Sequence, residues 1–265
     1  MSLKQYLDKI KAGKPINFTR FINLLPSFYE KQKRDLFSVS LQSPQKWIVS
    51  CSLEVFQELE KLAKVPENRI EAAAMGNSHR AKVSSGFLLV YHQNLSDSRP
   101  DVVYLEQESY LQCFQSKKYL LIVENEENFF LSNSMLKLAS IFTNQQIDLT
   151  NTDIVLGSGT RVTSRLAQSW YQQYDSILCA FDYDLAGLKM YRTLQANLGE
   201  QVHFLQPQNY SQYEPYFKMK PKTHPQLMEC IKLAQQLGFE ALANCIKKQR
   251  MFMEQEMLLM EIDNG

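Results

Sequence analysis

From Tyr119 onward the chain alternates short apolar runs with longer amphipathic stretches, and this rhythm limits the possible folds more than any other feature. Residues 119–123, 153–156, 176–181 and 201–205 read as strands. Between them, residues 131–142, 161–174 and a stretch reaching about Asn197 read as helices. Short strands separated by helices of ~10–15 residues predict βαβ units, and hence an α/β fold with a parallel sheet flanked by helices. Polar, Tyr- and Pro-rich sequence over 206–225 then leads into two more helices ending near Ile262.

The first part of the chain has a different pattern. Leu3, Tyr6, Leu7 and Ile10 fall at helical spacing, as do Phe18, Phe21, Ile22 and Leu25, with Pro15 and Pro26 as punctuation. Residues 46–51 read as a strand, and Ser52 is placed to cap a helix that buries Val55, Phe56, Leu59 and Leu62. A second helix over about 68–74 stops near Gly76, and strand-like runs at 87–92 and 102–105 flank the turn-rich 94–100. Two helices followed by a two-stranded wing predict a winged-helix-like, DNA-binding region. The expected organisation is a helical arm with a winged-helix-like module over 1–115 and an α/β domain with a helical extension over 116–265.

Charge follows the same division. The formal net charge is +1, yet residues 1–118 hold 17 Lys and Arg against 12 Asp and Glu, whereas 119–265 hold 12 against 16. Such asymmetry fits a basic binding half and an acidic half able to hold metal; two ordinary solvated surfaces fit it equally. Apolar runs fall far short of the ~20 residues that span a bilayer, and the first residues lack the apolar stretch of a secretory signal. Five widely spaced cysteines, with no Cys-x-x-Cys, argue against a disulfide scaffold or zinc ribbon. The four histidines (79, 92, 203, 224) form no ligand-spaced pair. The expectation is a soluble cytoplasmic protein without zinc.

In open α/β sheets, ligands bind beyond the carboxyl ends of the strands. Those ends carry Glu124, Gly157-Ser158-Gly159, and Asp182 with Asp184. Three acids at one edge repel one another unless a cation neutralises them, and hard oxygen donors suit Mg²⁺ or Mn²⁺. Of nine glycines, 157, 159 and 187 sit at these ends, as close backbone approach or tight turns require. Asp182-Tyr183-Asp184 alone also reads as a chance pair at a strand end. Haloacid-dehalogenase phosphatases use Asp-x-Asp too, but with Thr or Val where this chain has Ala186.

Taken together, a strand ending in Glu124-Asn125, a Gly157 strand end and Asp182-Tyr183-Asp184-Leu185-Ala186-Gly187 resemble the Toprim domain of topoisomerases, primases and several nucleases. The resemblance spans roughly 119–206. It implies Glu124 as general acid/base or metal ligand, Asp182 and Asp184 as Mg²⁺ ligands, and Gly157 opening the middle turn. Leu121-Ile122-Val123-Glu124-Asn125 with Phe129, residues 181–187 with Tyr191, and 250–256 are most similar to the JetD-like nuclease subunits of Wadjet-type systems. Those subunits pair a winged-helix-bearing region with a Toprim domain, dimerise, and cleave DNA beside an SMC-type complex that acts against plasmids. This chain is shorter than that family's best-known branch, mainly in its N-terminal half.

Weaker candidates complete the site. Glu254 and Glu256 offer a further ligand or a solvated helix face. Ser158, Thr160, Arg161 and Arg165 offer a phosphate site at a helix start, or a plain N-cap with surface arginines. Lys189 and Arg192 follow the acidic pair, and His79, Arg80 and Lys82 suit phosphate contacts on duplex DNA. The expected activity is metal-dependent hydrolysis of DNA phosphodiesters, gated by a partner. One alternative is a topoisomerase VI A-like transesterase using Tyr91, Tyr104 or Tyr110 as nucleophile. The other is a DNA-binding adaptor without turnover.

Overall fold

The computed structural model describes residues 1–64, 69–74 and 83–259. They form two compact units, Met1–Val83 and Ser84–Gly265, dividing earlier than the expected boundary near residue 115.

The first unit holds α1 (Leu3–Lys11), α2 (Phe18–Ile22), α3 (Ser27–Lys31), α4 (Lys33–Leu36), β1 (Phe37–Ser43), β2 (Lys46–Cys51), α5 (Leu53–Ala63) and α6 (Arg69–Ala74). Helix α1 starts with a reciprocal cap: Ser2 Oγ accepts the Gln5 N–H, and Gln5 Oε1 accepts the Ser2 N–H. Ser52 caps α5 by accepting from the Val55 N–H, as expected. Tyr6, Phe21 and Phe37 meet edge-on or tilted at the centre of the core, with ring centroids 5.7 Å apart for Phe21 with each neighbour. The sequence pattern does not predict β1. Only Phe37 of its seven residues is buried, so the strand is held by antiparallel pairing to β2 rather than by a buried face that periodicity would reveal.

In the second unit the strands are β3 (Ser85–Tyr91), β4 (Asp101–Glu106), β5 (Tyr110–Leu111), β6 (Tyr119–Val123), β7 (Thr152–Leu156), β8 (Ser176–Ala180) and β9 (Val202–Phe204). The helices are α7 (Glu126–Phe130), α8 (Ser132–Thr143), α9 (Gln168–Tyr171), α10 (Leu185–Leu198), α11 (His224–Gln236) and α12 (Glu240–Gln249). One seven-stranded sheet runs β5-β4-β3-β7-β6-β8-β9. Strands β7, β6, β8 and β9 are mutually parallel, and β3, β4 and β5 extend the β7 edge in antiparallel fashion. The core of this unit lies on both faces of β6, where Leu120, Leu121, Ile122 and Val123 are fully buried.

Three expectations are corrected here. The runs near 87–92 and 102–105 do form a hairpin, but as β3 and β4 of the α/β sheet, with Val90 and Tyr91 paired to Val155 and Ile154. They are therefore strands of the second unit's sheet, whereas α5 and α6 belong to the first unit. The helix expected over 161–174 is broken into 3₁₀ turns at Gly159–Thr163 and Arg165–Ala167 and the short α9, because Ser164 turns extended and caps Leu166. The last helix, α12, ends where Arg250 adopts a left-handed conformation (φ 58°); residues 251–254 beyond it form a non-helical strap and Gln255–Leu258 a 3₁₀ turn, and the helix end expected near Ile262 lies outside the described residues.

Polar side chains fasten the β5–β6 linker to the α9 region. Trp170 Nε1 donates to Gln112 Oε1 (2.6 Å), Ser116 Oγ to Gln173 Oε1 (2.7 Å), and the buried Asp153 accepts from the Lys117 N–H and the Tyr174 hydroxyl. Among the described residues no helix is long and apolar enough to cross a membrane.

The sheet layout sets a contrast in stability. Leu121→Ala, at the fully buried centre, costs about 2–5 kcal/mol in urea unfolding. Leu111→Ala, on the edge strand with 70% exposure, shifts stability by no more than ~0.5 kcal/mol.

Candidate active site

The order β7-β6-β8-β9 places a topological switch point between β6 and β8: the chain leaves β6 toward β7 on one side and leaves β8 toward β9 on the other. The two departing connections open a crevice at the carboxyl ends of β6 and β8. Glu124 follows β6 directly and Asp182 lies two residues past β8, so the fold delivers both to this crevice.

Main-chain donors hold the acids in place. The Glu124 N–H continues the ladder onto Ala180 O (3.2 Å), and Glu124 Oε2 accepts the Asp182 N–H at 3.0 Å. Asp184 is the N-cap of α10, its Oδ1 accepting the Gly187 N–H at 2.8 Å. Gly187 has a second role. A Cβ there would lie 2.2 Å from the Asp182 carbonyl oxygen, so only glycine lets the first turn of α10 pass under the Asp182 peptide. Asp-x-Asp-x-x-Gly is thus one structural device: two carboxylates, a cap, and the gap that lets the cap close.

The strap after α12 completes the cluster. Tyr183 N–H donates to Met253 O (2.9 Å), the Gln255 N–H donates to Asp182 Oδ1 (2.9 Å), and Glu256 Oε1 accepts from Asn125 Nδ2 (2.6 Å). Asn125 acts twice, since its Oδ1 also caps α7 through the Asn128 N–H. Glu256 therefore joins Glu124, Asp182 and Asp184, whereas Glu254 is exposed.

Burial and mutual repulsion govern the charges. Burial, then the Glu124 charge, then those of Glu256 and Asp184, push the Asp182 carboxyl up to about 7, against the Gln255 N–H that favours its ionised form. Burial raises Glu124 as well, aided by Asp184 and Glu256 and opposed by the Asp182 N–H. Asp184 is raised by burial and eased back by the Gly187 and Ala186 N–H groups and by the nearby Lys222 ammonium.

The donor set fits a hard divalent cation in kind: four carboxylates, two of them raised by burial and by neighbouring negative charge. Glu256 Oε2 is buried with no hydrogen-bond partner among the described residues, as are both side-chain polar atoms of Asn128 and of Gln255, all close in sequence to the carboxylates. Unpaired buried polar atoms cost ~1–3 kcal/mol each, a cost that a hydrated cation offsets. Among the described residues, however, no three His, Cys, Asp or Glu side chains are drawn into one coordination shell.

The other sequence candidates are dispersed. Gly157 is buried, donates its N–H to Val123 O (2.7 Å), and a Cβ there would lie a tight 3.1 Å from that oxygen. The turn itself is made by Ser158 and Gly159, both at positive φ; Ser158 is exposed and caps nothing. The 3₁₀ turn that follows replaces the helix start expected to hold a phosphate. Arg161 lies over the Phe87 ring (5.2 Å), and Lys189 is paired with Glu229 (2.7 Å). His79, Arg80 and Lys82 lie outside the described residues. Of the tyrosines weighed as nucleophiles, Tyr91 donates to Ser98 O and Tyr110 to Gln173 Oε1, while Tyr104 is exposed on β4. Sequence reading misses Gln255 and the holding role of Asn125; an Asn opening a helix directly after a strand is a cap signal that points to Asn125.

A mixed sheet with Glu124 and Asp182 joined by a hydrogen bond at its switch point defines an α/β protein with acids at one strand edge. Within that class, residues 98–264 match the family described as Wadjet protein JetD, C-terminal, and the chain belongs to that family. The matched region takes in the crevice and the strap together. No curated protein matches the chain.

Two outcomes test this geometry. Gly187→Ala forces the Asp182 peptide or the start of α10 to move, destabilising the protein by ~1–3 kcal/mol in urea unfolding. The second concerns pH. With Asp182 raised to about 7 from an unfolded value of ~3.9, the folded state binds its proton more tightly. The stability this group supplies is full below pH ~4 and is lost as pH rises through ~7. Metal-free Asp182→Asn protein therefore melts at least ~2 °C above the unsubstituted protein at pH 8, and the gap closes toward pH 5.

Proposed function

We propose that this chain is the metal-dependent DNA endonuclease of a Wadjet-type system, hydrolysing phosphodiester bonds beside SMC-type partner subunits. The observation that carries the proposal is the joining of Glu124 and Asp182 across the β6–β8 crevice, with Glu256 brought to them by the strap. Family membership supports the Wadjet context.

Glu124, Asp182, Asp184 and Glu256 are the residues to hold Mg²⁺ or Mn²⁺. A cation held by these carboxylates would supply Lewis-acid polarisation of the phosphoryl oxygen and charge stabilisation at the leaving oxygen. The chain's own groups supply the rest. Asp182, pushed up to about 7 by burial and the Glu124 charge, exchanges a proton near neutral pH, as a group that takes a proton from attacking water must, and burial raises Glu124 in the same direction. Asp184, fixed by the Gly187 N–H, sets the cluster against the α10 N-terminus, where a carboxylate is stabilised by the helix dipole. The basic first unit supplies sequence-independent grip on duplex DNA, within the dimer and partner complex that the family resemblance implies.

Supercoiled plasmid incubated with Mg²⁺ or Mn²⁺ and the partner subunits is nicked or linearised with free 5′ ends. Glu124→Ala and Asp182→Ala each slow this by at least ~10²-fold. Protein-linked ends would instead establish a tyrosine transesterase, and equal cleavage by all three proteins would remove the carboxylates from the mechanism.

A further inference from the structure

The strap has a second neighbour. On one side Met253 pairs with Tyr183, the residue between the two aspartates; on the other, Phe252 pairs with Met219 through two backbone hydrogen bonds of 2.8 and 3.1 Å. Three segments thus lie side by side: the Asp182–Asp184 loop, the strap, and the stretch 218–222. That last stretch reads Lys218-Met219-Lys220-Pro221-Lys222. Met219 and Pro221 are half-buried and the three lysines are exposed, the alternation of an extended chain with one face turned to solvent.

We propose that Lys218, Lys220 and Lys222 form a binding row for the phosphate backbone of the DNA strand that enters the carboxylate crevice. The row rests on the nuclease reading above and adds a surface that the charge distribution conceals, since it lies in the acidic part of the chain. None of the three ammonium groups forms a salt bridge among the described residues, whereas Lys189 and Lys248 are tied to Glu229 and Glu214. Alternate side chains along an extended segment stand ~6.6 Å apart, giving a line of point charges rather than a cluster. Ammonium groups on flexible stems bind phosphate without reading bases. The row is one segment away from Tyr183 across the strap, and Lys222 is within electrostatic reach of Asp184. A polyanion lying along it therefore passes beside the crevice.

The test is fluorescence anisotropy of a labelled DNA duplex in EDTA, titrated between about 50 and 200 mM salt. It compares the full chain with a triple Lys218→Gln, Lys220→Gln, Lys222→Gln variant and with the corresponding triple Arg variant. The Gln variant is expected to bind on the order of 10-fold more weakly, with a log K against log salt slope shallower by up to ~2.7, about 0.9 for each phosphate no longer neutralised. The Arg variant restores both. The three side chains are exposed and form no salt bridge among the described residues, so Tm changes little, and a Tm match shows that the fold is intact. Equal affinity and slope for the Gln variant and the unsubstituted chain overturn the binding row while leaving the nuclease reading in place. An unsubstituted chain that shows no salt-dependent binding overturns the DNA reading itself and the row with it.

Discussion

Like-charge repulsion at the β6–β8 crevice is the constraint around which the second unit is organised. Glu124 and Asp182 are partly withdrawn from water, and the Glu124 charge adds to the burial that raises Asp182. Repulsion of this kind pushes the acids apart unless each is tethered, and each has its own donor: the Asp182 N–H for Glu124, the Gln255 N–H for Asp182, the Gly187 N–H for Asp184, and Asn125 Nδ2 for Glu256. In a fixed frame the repulsion becomes a standing affinity for positive charge.

The frame explains otherwise arbitrary details. Gly187 is needed because of what lies above it, the Asp182 carbonyl, and not because of its own φ. Asn125 caps α7 with one end of its amide and restrains Glu256 with the other, so a helix start and an acid position share one side chain. Tyr183, fully buried between two half-buried aspartates, donates its hydroxyl to Leu205 O and locks the loop to the sheet beyond β8.

The parallel half of the sheet is legible in the sequence because its central strands are buried on both faces and their ends change abruptly to acid or glycine. The same signal locates Glu124, Asp182 and Asp184. Local pattern is silent about partners, and there it misleads. The β3–β4 hairpin looks the same whether it forms a wing or extends a sheet, and only its pairing with Val155 and Ile154 decides. The strap resembles a helix in sequence because Met251, Phe252 and Met253 are apolar in either conformation, whereas the left-handed Arg250 that ends α12 leaves no compositional trace. The alternation of Lys218, Lys220 and Lys222 is plain in the sequence, but nothing there reports its closeness to residues 182–184.

The crevice and its last acid are far apart along the chain. Glu124, Asp182 and Asp184 belong to the β6–α10 region, whereas Glu256 and the Gln255 N–H come from a segment made after α12. During translation the sheet and three of the acids emerge before the strap that orients Asp182 and supplies the fourth. A nascent chain paused at that stage holds the sheet without its assembled centre. For a chain that cuts DNA, as proposed above, the order of synthesis separates folding of the sheet from the capacity to cut, and so delays a hazardous reaction until the strap has emerged.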